Sequence, residues 1–89
     1  MEVRSEQGTA SLVLSGPQTQ QVDEPVELTL DAEGVQDWVW YAPDGSVYPG
    51  SEAIEVTLTS VGSTRVVVVG RDEDGRVVDA TLPLRAVQP

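Results

Sequence analysis

"STRVVVVGRDEDG", residues 63–75, sets four consecutive valines ahead of three acids and a glycine. In a strand only every second side chain faces the core, so a valine run makes both faces apolar. If Val66 and Val68 point inward, Arg65, Val67, Val69 and Arg71 point outward. The acids and Gly75 then close a hairpin, because glycine takes the left-handed position that such turns need.

Period-two alternation extends outward from this stretch in both directions. Ala10, Leu12 and Leu14 share one face of "ASLVLS", and Pro17 breaks the run that follows. "PVELTLD" places Val26, Leu28 and Leu30 opposite Glu27, Thr29 and Asp31. "VQDWVWY" sets Trp38 and Trp40 on one face, with Val39 and Tyr41 on the other. "APDGS" is a second hairpin loop, with Pro43 at the first turn position and Gly45 as the left-handed residue. Ile54, Val56 and Leu58 align in "AIEVTLT", and Val78, Ala80, Leu82 and Leu84 align in the final run. Pro83 predicts that the last strand is an edge strand or stops pairing there. No window keeps helical spacing over three turns. The pattern predicts an all-β, antiparallel sandwich of about seven strands, with residues 1–8 as an N-terminal extension and 9–89 as the sandwich.

The chain has 89 residues and a net charge of −10, from fifteen acids and five basic residues that are all arginines. Cysteine, histidine and asparagine are absent. Disulfides, thiolate or imidazole metal sites, Cys–His or Ser–His nucleophile pairs and N-glycosylation sequons are thereby excluded. The charge disfavours phosphate backbones and anionic lipid, so neither nucleic acid nor membrane is expected as a partner. "MEVRSEQGTA" shows no basic flank followed by an apolar stretch, so no secretory signal is expected, and Glu2 favours a native start.

"VGSTRVVVVGRDEDG" (61–75) resembles the late signature of polycystic-kidney-disease (PKD) type domains, a branch of the immunoglobulin-like sandwiches. Gly62, Val66, Val68, Asp72, Asp74 and Gly75 fall at the matching positions. "DWVWYAPDGS" (37–46) is similar to the family's tryptophan strand and its following turn, with Trp38 or Trp40 as the core tryptophan. The resemblance covers about residues 10–87. It departs at Thr64, where the family carries an aromatic, and at Gly70, where it carries an apolar residue. Such domains serve as spacers, adhesion units and decoration modules, and fold alone does not choose among these.

Among candidate sites, Asp72, Glu73 and Asp74 offer calcium-type oxygen ligands, with Asp44 and Asp79 as possible additions. An EF-hand loop counted from Asp72 would need Gly and Glu where Val77 and Pro83 stand, so an acidic hairpin tip is expected, with weak calcium binding as the alternative. The two tryptophans are expected in the core rather than as a sugar platform. No catalytic residue, cofactor or metal is expected.

The candidate site is a protein-contact face formed by Val39, Tyr41, Arg65, Val67, Val69, Arg71 and Val77, an apolar surface edged by arginines. High β-propensity of valine, or cover by the segment 1–7, are the competing explanations. The expectation is a non-catalytic structural or binding module that meets a protein partner or a second copy. A decoration protein of a phage or virus capsid, on the virion surface, fits these features. The alternatives are a spacer, adhesion or carbohydrate-binding module of a secreted bacterial protein, and an engineered scaffold.

Overall fold

The computed structural model describes all residues, 1–89. Nine strands form two open sheets packed as a sandwich: β1 (Glu2–Gln7), β2 (Ala10–Ser15), β3 (Thr19–Gln21), β4 (Pro25–Glu33), β5 (Asp37–Tyr41), β6 (Val47–Pro49), β7 (Ala53–Thr57), β8 (Gly62–Arg71) and β9 (Val77–Val87). One sheet has the order β1-β2-β4-β7 and the other β3-β9-β8-β5-β6. No helix is long and apolar enough to cross a membrane.

The core is the set that alternation points inward. Leu12, Leu14, Leu28, Trp40, Val66, Val68 and Leu82 are all shielded from solvent between the sheets. Ile54 and Val56 from β7, Leu58 just after it, Val78, Ala80, Leu84 and Ala86 from β9, and Ala10 and Leu30 complete it. Val26 and Trp38 are half-buried on the same inner faces.

Three features differ from the sequence-based expectation. The segment 1–8 is no appendage: Glu2–Gln7 is β1, in register with β2 from Glu2↔Ser15 to Gln7↔Ala10. It contains one buried-type side chain, Val3, packed against the core, which is too little alternation to mark a strand. A second extra strand, β3, lies in the "GPQTQQ" segment and pairs with β9 in parallel, so the sandwich is mostly rather than wholly antiparallel. Gly16, Pro17 and Gln18 carry the chain from one sheet to the other. A Cβ on Gly16 would collide with Leu28 Cδ2, so any larger residue at the crossing would have to displace that buried side chain.

The third difference concerns Pro83. β9 continues past it to Val87 and stays paired with β8, with Pro83 opposite Arg65. The Arg85 N–H donates to Gln18 O at 2.9 Å, toward β3. N–H groups two residues apart point the same way along a strand, so the Pro83 nitrogen also faces that side. It lies two residues before Arg85, where pairing with β3 begins. The missing donor therefore falls on an unpaired stretch of edge and costs no ladder bond.

Candidate protein-contact face

The β8 alternation resolves as Val66, Val68 and Gly70 inward and Arg65, Val67, Val69 and Arg71 outward. Register then fixes what stands beside each. Tyr41 is opposite Val67 on one side and Val47 on the other, and Val67 is opposite Thr81. In the next row Val39 lies between Pro49 and Val69, and Asp79 follows on β9. Beyond that, Asp37, Arg71 and Val77 form a row, and on the other side of the valines Arg65 faces Pro83. All seven residues named from the sequence thus share the outer face of the five-stranded sheet. Tyr41 and Val77 are about half exposed, at 47% and 58%. Val39, Val67 and Val69 are half-buried among their neighbours. Val39, Tyr41, Pro49, Val69, Arg71 and Val77 line a shallow depression.

Val47 and Pro49 belong to this face and were missed, because β6 is too short to show periodicity. The segment 1–7 leaves the face open: β1 pairs with β2 on the other sheet.

Charge divides the molecule. The outer face of the four-stranded sheet carries Glu2, Glu6, Glu27, Asp31, Glu33 and Glu55 against Arg4 alone. The outer face of the five-stranded sheet carries Arg65, Arg71 and Arg85 against Asp37 and Asp79. A chain of net charge −10 therefore has one broad surface that is close to neutral. Arg71 pairs with Asp37, Nη2 to Oδ2 at 3.2 Å, and the carboxylate raises the guanidinium pKa through that hydrogen bond and its charge. The pair is exposed and so contributes little to stability.

The other features singled out in the sequence are structural in this geometry. Asp72 is buried, and its Oδ1 accepts the backbone N–H groups of Asp74 at 2.9 Å and Arg76 at 2.8 Å. The Asp72 N–H donates to Arg76 O and the Gly75 N–H to Asp72 O, closing the turn with Gly75 at φ 81°. The "APDGS" loop repeats the backbone pattern between Ala42 and Ser46, with Gly45 at φ 90°. Asp44 Oδ1 accepts the Ser46 N–H at 2.9 Å, and this bond lowers the Asp44 pKa from the ordinary 3.8. Because β5 and β8 run antiparallel, the two hairpins project from opposite ends of the sheet, so Asp44 stands far from Asp72. Asp79 sits on the outer face in the Val69 row.

Trp40 is fully buried, and Trp38 is half-buried on the same inner face. Both indole N–H groups donate to Ser51 O, at 2.6 Å and 2.8 Å respectively. Neither ring is laid open as a stacking platform. A cleft of about 250 Å³ lies between the β5–β6 hairpin and the segment 55–64, with Asp44, Glu55 and Tyr48 on its walls. Compared with protein-family models and with curated proteins, the chain matches none.

Proposed function

We propose that this chain is a non-catalytic, immunoglobulin-like module of the PKD branch that docks on a larger protein assembly, in the manner of a decoration protein on a phage or virus capsid. The contact is the outer face of the five-stranded sheet. The observation that carries this reading is the coincidence of two properties on one surface. The rows around Val67 and Val69 are apolar, and the same surface is the one broad face where arginine balances the acids. An apolar centre rimmed by tyrosine and arginine is the composition that interfaces favour. The acidic opposite face repels anionic surfaces, nucleic acid and lipid included, which directs association to this side. Support for the PKD branch comes from the tryptophan strand β5, its glycine-ended turn and the acidic, glycine-ended hairpin after β8.

The test is photo-crosslinking in the native host, with a benzophenone side chain at position 67 and, as a control, at position 29 on the outer face of β4. Discrete adducts are expected at position 67 and absent at position 29. Equal labelling at both positions, or none at 67, would overturn the reading.

A further inference from the structure

We infer that the contact face is self-complementary and that it takes a second copy of this chain, packed face to face as a two-fold dimer. This deepens the docking reading and rests on it.

The charges on the face are segregated along the strands. Arg65 and Arg85 lie toward the start of β8, in the rows of Pro83 and Ser63. Asp79 and the Asp37–Arg71 pair lie toward its end. Arg65, Arg85 and Asp79 form no ion pair within the chain. A partner that matches this pattern must offer anions over Arg65 and a cation over Asp79, with apolar groups between. The same face supplies the Arg65–Asp79 part of that pattern when it is reversed along the strand direction, while Arg85 falls in the row of the Arg71–Asp37 pair.

A two-fold axis lying in the interface and crossing the strands at the Val67–Thr81 row performs this reversal. It sets Val67 over Val67 of the second copy and Tyr41 beside its own copy. Arg65 comes over the row of Asp79 of the second copy, on the neighbouring strand. Strands lie about 4.8 Å apart and packed sheets about 10 Å apart, a span that two side chains reaching toward each other can close. Each such contact forms twice in an isologous interface.

Size and field agree with this arrangement. The molecule measures 45 × 21 × 16 Å, and its broad side is comparable to the roughly 800 Å² per partner of a standard interface. The dimer places the two acidic faces outermost, separated by both sandwich thicknesses. That separation exceeds the screening length of about 8 Å at physiological salt, so their repulsion is largely lost.

Sedimentation equilibrium on the purified chain, from micromolar to millimolar concentration, tests the inference. The wild type is expected to approach twice its 9.5 kDa mass. Val67→Glu should stay monomeric and still unfold in one cooperative transition, with a melt that no longer depends on protein concentration as the dimer's does. Arg65→Asp and Asp79→Arg should each weaken dimerisation about tenfold or more, and the double variant should recover most of that loss. A wild type that stays monomeric throughout, or a double variant no better than either single one, overturns the dimer. If the purified chain is monomeric while position 67 crosslinks to a different protein, the dimer falls and the docking reading stands. A dimer that survives Val67→Glu, with no adduct at position 67, removes both.

Discussion

Trp40 donates its indole N–H to the carbonyl of Ser51 at 2.6 Å, and Trp38, two residues away, shares the same acceptor at 2.8 Å. One loop carbonyl thus anchors the two largest side chains of a core that has no phenylalanine. Trp40→Ala should cost about 3–5 kcal/mol, as full burial of the ring implies. Trp38→Ala should cost less, since that ring is half-buried and Trp40 keeps Ser51 O satisfied. Urea denaturation of both variants measures the difference, and a larger loss for Trp38 would contradict this ranking.

Gly70 faces Trp38 across the β5–β8 ladder. A Cβ there would come within 2.8 Å of Val35 Cγ1 and 3.1 Å of Asp37 O. The apolar side chain that the resemblance implies at this position therefore has no room. Gly70→Val should destabilise the fold by roughly 1–3 kcal/mol through overpacking. Part of that loss should return in the double variant with Val35→Ala, since the closest clash is with a side chain. Strict additivity of the two changes in denaturation would show that they do not share the space.

The Asp72 carboxylate is turned into its own hairpin, where it accepts two backbone N–H groups. Hydrogen bonds to a charged acceptor contribute about 1.5–3 kcal/mol each at most, and less where water competes. Asp72→Ala should lower stability by about 1–3 kcal/mol on that basis, and Asp72→Asn by less, because it keeps an acceptor oxygen. Melts with and without millimolar calcium should coincide for the wild type, as a ligand specific to the folded state would raise the midpoint. An upward shift with calcium would return the hairpin tip to consideration as a metal loop.

Asp44 gives a pH dependence whose sign follows from its hydrogen bond to the Ser46 N–H. Its folded pKa is lowered from 3.8, chiefly by that bond. The stabilisation is therefore fully present above the ordinary value and is lost as pH falls through the lowered folded one. Asp44→Ala should remove this contribution to acid sensitivity while leaving the neutral-to-alkaline profile unchanged in shape. Melting profiles of the two proteins across the acid limb provide the check, and parallel curves below pH 3.8 would refute it.

Most of the sandwich was legible because Leu12, Leu28, Ile54, Val66 and Leu82 sit on strict two-residue alternation, and register moves whole faces together. β3 was not legible. Thr19, Gln20 and Gln21 show no alternation, and Gln20 enters the interior through its amide, which donates to Glu24 O and Val56 O. The contact face was legible as a set of outward positions, since Val67 and Val69 can only stand beside Val39 and Tyr41 if β5 and β8 pair. Val47 and Pro49 depend on a three-residue strand whose existence only the pairing with β5 reveals. The hairpin tip at Asp72 was legible, but the inward turn of its carboxylate was not, because its partners are backbone groups, which no side-chain pattern records.

The passage through Gly16, Pro17 and Gln18 has a kinetic consequence. It delivers β3 to β9, so Thr19 must find Arg85 across about three quarters of the chain. The β8–β9 hairpin, by contrast, closes over the five residues 72–76 and can form early. Pairings of long sequence separation are slow and form late. The parallel clasp is thus expected to lock after the folding barrier, so that weakening β3 hastens unfolding and leaves refolding rates nearly unchanged. Its amides should be among the first in the second sheet to exchange with solvent.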